Sequence, residues 1–353
     1  MRVAFVSLSG ADRRDTPGNW RVRRVAEGLA AADHEVAVFC AQWWEGETVS
    51  VFDRADVTYH ALTDTPGPLS FASRLPFALR SFSPDVVHAT PDPPSQVAAA
   101  RFFSLFGRRP LVVEWYGDED PPTSWGERYT TRAPTTVVTP SRMVSTWVRE
   151  AGAAEEAVEI IPEGIDVELT AETEPHSDVD IVTCRQMDGN ANVESLLLAL
   201  AELRDRDWHA VVIGDGPARA SAKEQAADLR IADRVTFTGE LPPAERVAYY
   251  KGAHVFAHTA KRTPFATELL WGLACGCVGV VEYHANSAAH ELVEGLERGF
   301  RATSPPEIAS AIEKAGRLDH RTTDDRFFTY SQETMLERYL DCYRDVRGTY
   351  GLF

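Results

Sequence analysis

Short apolar runs alternate with helix-period segments along the whole chain. The first half opens with an apolar run at Arg2–Leu8, a helix-period segment at Trp20–Ala32 and a second run at Glu35–Cys40. Apolar runs bounded by turn residues predict buried strands, and their alternation with helices predicts parallel sheets covered on both faces. Further strands are predicted at Asp85–Ala89, Pro110–Trp115, Thr135–Val138 and Val158–Ile160, with helices at Pro94–Phe106 and Arg142–Ala151.

The same alternation begins again after a turn-rich, acidic stretch. Residues 164–178 have no apolar period and are predicted to form an inter-domain linker. The second half is predicted to form another doubly wound sheet. Its strands are expected at Val179–Cys184, His209–Gly214, Arg234–Gly239, His254–His258 and Cys277–Val281, and its helices at Asn192–Arg204, Ala218–Leu229, Pro243–Lys251, Phe265–Ala274 and Ala288–Glu294.

Together these segments predict an α/β protein with two Rossmann-like domains. The first domain covers residues 1–163 and the second covers residues 179–326. A last helix near Ser331–Val346, within residues 327–353, is predicted to cross back to the first domain. Ligands of open parallel sheets bind beyond the carboxyl ends of the strands, so two such domains facing each other are expected to hold a site in the cleft between them.

The charge of the chain excludes one class of partner. The formal net charge is -17, and only four of the 36 basic residues are lysine. A nucleic-acid duplex requires a basic patch, so binding to nucleic acid is not expected. An acidic surface with arginine preferred to lysine is typical of a protein kept soluble in high salt, which gives the composition a halophilic character.

The cysteines and the start of the chain indicate a cytoplasmic protein. Five cysteines, mostly in apolar runs, suit reduced core thiols better than a disulfide framework. No signal peptide and no membrane-spanning run is visible. Cys275 and Cys277 have no second Cys or His pair nearby, so zinc is not expected.

The segment Thr263–Cys277 follows a predicted strand and opens a predicted helix. Pro264 at the first turn and the small Ala266 let backbone N–H groups approach a ligand, and a helix N-terminus attracts phosphate. The segment therefore predicts a diphosphate cradle. An ordinary buried helix explains the same periodicity.

Motifs in consistent order along nearly the whole chain resemble the family-four glycosyltransferases. In the second half they are CRQMD at Cys184–Asp188, VVIGDGP at Val211–Pro217, RVTFTGEL at Arg234–Leu241, PF and LACG within Pro264–Gly276, and HELV at His290–Val293. In the first half they are PDVVHAT at Pro84–Thr90, PLVVEWYG at Pro110–Gly117, VVTPSRMV at Val137–Val144 and IIPEGID at Ile160–Asp166. The resemblance implies the GT-B architecture and sugar transfer from a nucleotide donor with retention at the anomeric carbon.

The resemblance also implies roles for particular residues. Arg185 would pair with the donor diphosphate, a task suited to its planar fork and permanent charge. The backbone near Phe237–Gly239 would face the nucleotide base, and Phe265, Ala266 and Thr267 would face the phosphates. Gly214 and Gly216 belong to the same donor-binding set. No metal and no cofactor are implied, because the nucleotide sugar is a co-substrate. The Asp118–Asp120 triplet could imitate an Asp-x-Asp metal site, but a solvated acidic loop explains it better.

Several positions depart from the family pattern. The family usually has glutamates at the positions of Thr263 and Trp271 and a lysine at Ala191. Two histidines of the first domain are replaced by Tyr116 and Thr90. Lysine loss should weaken donor binding by a kcal/mol or more, since charge-assisted hydrogen bonds contribute roughly 1.5–3 kcal/mol.

Other residues are candidates for the missing functions, each with a simpler alternative. Lys261 and Arg262 precede the phosphate-facing helix and either supply the missing charge or form a solvated pair. Glu268 lies three residues before Trp271 and either contacts a donor hydroxyl or is an exposed helical glutamate. His88 lies at a strand end near Tyr116. It either touches the sugar or the acceptor, or it is a structural histidine satisfied by nearby loop backbone.

The leading prediction is a metal-independent glycosyltransferase that acts on a glycan, a lipid-linked molecule or a small molecule. The alternative is a catalytically degenerate protein that binds a sugar nucleotide or a partner transferase; a sugar-nucleotide epimerase ranks last. Aromatics beside arginines at Trp43–Trp44, Phe71–Arg80 and Arg101–Arg109 suggest peripheral contact with the inner face of the membrane, although core packing explains the last segment equally well.

Overall fold

The computed structural model describes residues 1–47, 50–118 and 120–349, which fold as two compact units. Of the described residues, the first unit contains those of Met1–Pro162 and residues 335–349, and the second contains Glu163–Thr334. The corresponding boundaries predicted from the sequence fall after residue 163 and at residue 327. The C-terminal helix therefore packs with the first unit.

The first unit is built on an eight-stranded sheet in the order β3-β4-β2-β1-β5-β6-β7-β8. All neighbours pair in parallel except β3 and β4, which form an antiparallel pair. The strands are β1 Arg2–Val6, β2 Glu35–Ala41, β3 Val51–Arg54, β4 Val57–Thr63, β5 Val86–Ala89, β6 Leu111–Glu114, β7 Thr136–Thr139 and β8 Val158–Ile160. The helices are α1 Pro17–Ala31, α2 Pro68–Phe82, α3 Pro94–Gly107, α4 Trp125–Arg132 and α5 Arg142–Glu150.

The second unit contains a six-stranded parallel sheet in the order β11-β10-β9-β12-β14-β16, and a two-stranded sheet of β13 and β15. The strands are β9 Ile181–Cys184, β10 Ala210–Ile213, β11 Val235–Gly239, β12 Val255–His258, β13 Arg262–Thr263, β14 Val278–Glu282, β15 Asn286–Ser287 and β16 Gly299–Ala302. The helices are α6 Val167–Glu172, α7 Val193–Glu202, α8 Arg219–Asp228, α9 Pro243–Gly252, α10 Thr267–Ala274 and α11 Pro305–Ala315, and α12 Gln332–Thr349 begins at the end of this unit. The predicted α/β class with two doubly wound parallel sheets is confirmed.

Each sheet is buried because its strands are apolar on both faces. Val3–Val6 in β1 and Leu111–Val113 in β6 have no solvent exposure, as expected for strands of a parallel sheet. One face of the first sheet packs against α1 and α12, where Tyr339 and Tyr343 are fully buried. The other face packs against α2, α3 and α5. The helices cover the two faces of the sheet, so the carboxyl ends of the strands lead into loops.

The structure differs from the sequence prediction in several elements. The stretch predicted as a linker contains α6, and the Lys251 ammonium donates to the carbonyls of Thr170 (2.8 Å) and Thr173 (2.6 Å), which attaches this segment to the second unit. The helix predicted at Ala288–Glu294 is a 3₁₀ helix at Ala288–Leu292. Strands β3, β4, β13, β15 and β16 and helices α2, α4 and α11 were not predicted. Among the described residues, no helix combines the length and the apolar character needed to cross a membrane.

Candidate functional site

Arg185 stands at the carboxyl end of β9, where two loops of the second unit meet. Its backbone N–H donates to the carbonyl of Ile213 (3.0 Å) at the end of β10. Its guanidinium donates from Nη1 to Thr263 Oγ1 (2.8 Å) and from Nη2 to the carbonyl of Arg262 (2.9 Å). The side chain is half-buried, and burial lowers the pKa of the guanidinium while Asp188 opposes that shift. A guanidinium held in this way is an oriented cation, and its remaining N–H groups can donate hydrogen bonds to an anion.

Thr263 links Arg185 to a buried histidine. Thr263 is 5% exposed, and its Oγ1 lies 3.2 Å from Nε2 of His258, the last residue of β12. Burial, together with the charge of Arg185 and then that of His284, lowers the pKa of His258 from 6.5 to about 3. His258 is therefore neutral near pH 7 and can share a hydrogen bond with the threonine hydroxyl.

Helix α10 begins directly after this group. Ala266 is its N-cap residue, and no side chain among the described residues caps it. Phe265 and Ala266 are buried, and the Thr267 amide donates to the carbonyl of Phe265 (3.2 Å). An uncapped helix N-terminus offers backbone N–H groups and a positive dipole end. The predicted phosphate-facing residues therefore adjoin the Arg185 site through the segment that starts at Arg262.

The glycines of the predicted donor loop have a steric reason to be glycine. Gly214 has φ +125°, and a Cβ there would lie 1.9 Å from the carbonyl oxygen of Arg185. Gly216 has φ +145°, and a Cβ there would lie 2.5 Å from the carbonyl oxygen of Met187. The Gly214 amide also donates to the carbonyl of Gly239 (2.8 Å). These residues let the β10 loop approach the segment that carries Arg185, so they shape the site by packing.

The remaining predicted donor-binding residues lie around the same edge of the sheet. The Phe237 carbonyl accepts from Arg219 (3.2 Å), so that carbonyl is already engaged in the fold. Lys261 is exposed, and its amide donates to the carbonyl of Asn190 (2.9 Å) next to Ala191. The backbone of Lys261 is therefore hydrogen-bonded to the residue that precedes Ala191, the position where the family usually has a lysine.

Glu268 is engaged inside the second unit and is not an exposed helical residue. It forms an ion pair with Arg246, and the Tyr250 hydroxyl donates to Glu268 Oε2 (2.6 Å). Its side chain is 27% exposed. Tyr250 is fully buried, and burial followed by the charge of Glu268 raises its pKa well above the usual value, which keeps the hydroxyl protonated as a donor. The sequence offered a contact with a donor hydroxyl or an exposed helical glutamate. Neither interpretation includes the partners on α9 that hold this carboxylate.

Sequence reasoning missed three polar residues beside His258. The Asn192 side-chain amide donates to Glu282 Oε2 (2.9 Å) and to the carbonyl of Thr259 (3.0 Å). His284 Nε2 lies 3.5 Å from the same Glu282 oxygen, which is on the last residue of β14. A polar residue that ends an apolar strand was the available signal, since both His258 and Glu282 occupy such positions.

His88 lies in the interior of the first unit and does not line an open site. It is 0% exposed; its Nδ1 lies 2.5 Å from the Tyr343 hydroxyl, and its Nε2 lies 3.3 Å from Glu114 Oε2. Glu114 also pairs with Arg21 (3.0 Å) and accepts from Tyr339 (2.6 Å). The pKa of Glu114 is lowered because Arg21 and His88 outweigh the burial that would raise it. The geometry gives His88 a structural position, with partners from α12 and β6 and not from nearby loop backbone.

Tyr116 and Thr90 lie together at the carboxyl end of the first sheet. Both line a pocket that also contains Ser9, Gly18 and Asp118. Tyr116 is 6% exposed, and the Arg21 guanidinium carbon lies 5.8 Å from its ring centroid. The Gly18 amide at the start of α1 donates to the Asp118 carboxylate (3.1 Å to each oxygen). The two positions that depart from the family pattern therefore share one surface of the first unit.

Glu119, the middle of the acidic triplet, lies outside the described residues. Within residues 1–47, 50–118 and 120–349, no group of three or more His, Cys, Asp or Glu side chains has the arrangement of a metal site. A cavity of about 610 Å³ lies elsewhere, at the amino-terminal edge of the second sheet beside Asp180 and His254. Ligands of parallel sheets bind at the opposite edge, so the Arg185 site remains the stronger candidate.

The neutral His258 predicts a specific loss of stability in acid. Because its folded pKa is about 3, the unfolded chain binds a proton below pH 6.5 that the native protein does not bind, so stability present above pH 6.5 is lost as the pH falls. We expect this residue to lower the free energy of unfolding by about 2 kcal/mol between pH 7.5 and pH 5. Denaturant unfolding of the wild type and His258→Gln at both pH values measures it. Identical pH dependence in both proteins would contradict the buried, neutral histidine.

Two Rossmann-like units with a candidate phosphate-facing site at the carboxyl ends of the second sheet define a protein of the GT-B class. The Glycosyltransferase Family 4 model matches residues 18–169, and the Glycosyl transferases group 1 model matches residues 167–327. The chain belongs to the family-four glycosyltransferases, as the sequence motifs predicted.

Solved structures show the same fold over the whole chain. A glycosyltransferase from Rickettsia africae superposes with a TM-score of 0.78 at 16% identity and covers 98% of each chain. Anabaena HepE in complex with UDP and glucose superposes with a TM-score of 0.71 at 17% identity and covers 98% of this chain and 100% of its own. At these identities the likeness establishes the fold alone.

Curated relatives match over parts of their length. Alpha-monoglucosyldiacylglycerol synthase of Streptococcus pneumoniae is 30% identical over 161 residues, which are 44% of this chain and 36% of that protein. 2-Deoxystreptamine glucosyltransferase of Streptomyces kanamyceticus is 27% identical over 207 residues, which are 50% of this chain and 53% of that protein. The chain thus spans about half or less of the length of these relatives.

Proposed function

We propose that the protein transfers a sugar from a nucleotide diphosphate sugar to a hydroxyl group of an acceptor. The observation that carries the proposal is the Arg185 guanidinium, fixed by Thr263 Oγ1 and the Arg262 carbonyl directly before the uncapped start of α10. A cation and a helix N-terminus side by side suit a diphosphate. Family membership and a fold shared with a UDP-bound structure support the same donor class.

In the proposed reaction, the bond between the anomeric carbon and the diphosphate oxygen breaks, and its electron pair remains on the departing nucleoside diphosphate. The acceptor hydroxyl oxygen forms the new bond to the anomeric carbon, and its proton passes to the departing diphosphate or to water. Arg185 and the first amides of α10 stabilise the negative charge that develops on the leaving group. No metal is needed for this step. Retention at the anomeric carbon is part of the proposal and is tested by the anomeric configuration of the product.

Lys261 is proposed to replace the cationic side chain that the family usually has at the position of Ala191. Its amide bonds the carbonyl of Asn190, so its exposed side chain starts beside that position (2.9 Å between the two atoms). Arg262 adds charge on the same segment. Glu268 and the Tyr116 pocket are proposed to contact the transferred sugar and the acceptor, respectively.

The acceptor class is proposed from the relatives. One is named as a synthase of a glucosyldiacylglycerol, another as a phosphatidylinositol monomannoside mannosyltransferase and a third as a 2-deoxystreptamine glucosyltransferase. A lipid-linked acceptor at the inner face of the membrane is therefore the first to test, with glycans and small hydroxylated molecules as alternatives. The protein would act in the cytoplasm as a peripheral enzyme.

The proposal is tested by incubating the purified protein with UDP-, GDP- and ADP-sugars, with membrane extract as acceptor, in low and high salt. We expect release of one nucleoside diphosphate, unaffected by EDTA, and a thermal shift with the same nucleotide. A thermal shift without release would point to a binding protein without transferase activity. Absence of both across the panel would refute the donor class.

A further inference from the structure

Helices α2 and α3 of the first unit present a concentrated apolar surface to solvent. Ten large apolar side chains are exposed among the described residues, and five of them belong to these two helices. They are Leu69 (81% exposed), Phe77 (77%), Phe102 (57%), Leu105 (56%) and Phe106 (78%). Exposed apolar side chains that occur singly need no explanation, but a cluster of this kind marks an interaction site.

The two helices pack side by side and form a groove of about 450 Å³ lined by Pro76, Phe77, Phe102, Phe103 and Phe106. The rings of Phe102 and Phe106 lie 4.8 Å apart between centroids. Spacings of three and four residues place Phe102, Leu105 and Phe106 on one side of α3. The groove and its rim thus form one continuous face, which we call the aromatic surface.

The charge around the aromatic surface is opposite to that of the rest of the chain. The 15 residues of α2 and the 14 residues of α3 contain no Asp or Glu, although the chain average of 53 acidic residues in 353 would place about four there. Arg80, Arg101 and Arg108 have no ion-pair partner within the described parts of the chain. The surface is therefore locally cationic on a protein of net charge -17.

Parts of the segments that the sequence suggested for membrane contact lie elsewhere, although Phe77 and Arg80 of Phe71–Arg80 belong to the aromatic surface. Trp43 and Trp44 pack against Phe52, with ring centroids 5.2 and 5.4 Å from its ring. Phe71 is 0% exposed and belongs to the core under α2. The aromatic surface therefore consists of the outer faces of α2 and α3 alone.

We propose that the aromatic surface binds an anionic lipid bilayer. Aromatic and leucine side chains insert at the headgroup level of a bilayer, and arginine forms bidentate bonds with lipid phosphates. The acidic remainder of the protein is repelled by the same lipids, so this face alone turns towards the membrane. The inference rests on the surface and does not depend on the proposed sugar transfer.

The test is sedimentation of the full chain with vesicles of phosphatidylcholine alone or mixed with phosphatidylglycerol. We expect binding to the mixed vesicles and much weaker binding to phosphatidylcholine. Arg80→Glu/Arg101→Glu/Arg108→Glu should lower the partition coefficient by on the order of 100-fold, because each basic residue near an anionic surface contributes about a factor of five. Phe77→Ser/Phe102→Ser/Phe106→Ser should also abolish binding, including the part that persists in high salt.

Trp125→Ser and Arg128→Glu serve as matched controls, since Trp125 is 83% exposed on α4 of the same unit and Arg128 is exposed there as well. These two variants should bind like the wild type, and circular dichroism verifies that every variant is folded. Failure of the wild type to bind mixed vesicles overturns the proposal. So does an equal loss in the controls. If the aromatic variant changes only the mass measured by ultracentrifugation, the surface is a protein interface instead.

Discussion

Replacement of Arg185 by alanine should weaken the binding of nucleoside diphosphates by on the order of 100-fold, because charge-assisted hydrogen bonds contribute about 1.5–3 kcal/mol each. The wild-type guanidinium is held by Thr263 Oγ1 and the Arg262 carbonyl, so little conformational freedom is lost when a diphosphate binds. Turnover should fall at least as far, since charge on the leaving group grows in the transition state. Isothermal titration with UDP and GDP, and nucleotide release from the sugar donor, measure the two effects.

Arg298 supplies a matched control for this prediction. It is a buried arginine of the same unit that donates to two backbone carbonyls, those of Asp319 (2.9 Å) and Gly276 (2.7 Å), and burial lowers its pKa as it does for Arg185. Arg298→Ala should therefore reduce thermal stability without changing nucleotide affinity. Arg185→Lys keeps the charge but loses the planar fork, so its affinity should be intermediate. Equal affinities for Arg185→Ala and the wild type would place the diphosphate elsewhere.

The alternation of apolar runs was sufficient to predict most of the parallel sheets. Strands β1, β9, β10, β12 and β14 are largely apolar and buried, and such runs identify buried parallel strands. Strand β3 was not predicted, because its four residues VFDR lie at the sheet edge and are mostly exposed. An exposed edge strand lacks the apolar pattern that identifies the others.

The candidate site was predictable only where its residues are close in sequence or belong to a motif. The Arg185 segment and the start of α10 could be singled out because each belongs to a recognisable motif, and their role in donor binding stays a prediction. His88 was placed at an open strand end, whereas its ring is enclosed by Tyr343, 255 residues further along the chain. No local pattern reveals a partner on a helix that returns to the first unit from so far away. The polar group of Asn192, Glu282 and His284 was also missed: Glu282 ends an apolar strand, but its partner Asn192 is 90 residues away along the chain.

The buried cluster of Arg21, Glu114, His88 and Tyr339 should control the stability of the first unit. Glu114→Ala is expected to lower the free energy of unfolding by about 3–5 kcal/mol, because it leaves the charge of Arg21 buried without its carboxylate. Both side chains are fully or almost fully buried, at 0% and 1% exposure, so water cannot replace the lost partner. Denaturant unfolding followed by fluorescence of the first unit's tryptophans measures the loss.

Two further variants separate the buried charge from simple truncation of a side chain. Arg21→Met/Glu114→Leu removes both charges and should recover most of the stability lost in Glu114→Ala, since a buried ion pair replaced by apolar groups of similar volume is often neutral. Glu35→Ala breaks an exposed ion pair, in which the side chains of Glu35 and Arg2 are 57% and 40% exposed. It should lower the free energy of unfolding by no more than about 1 kcal/mol. If Glu114→Ala costs as little as Glu35→Ala, the cluster is not a buried ion pair. In that case the interactions that lower the pKa of Glu114 would contribute little to the free energy of unfolding.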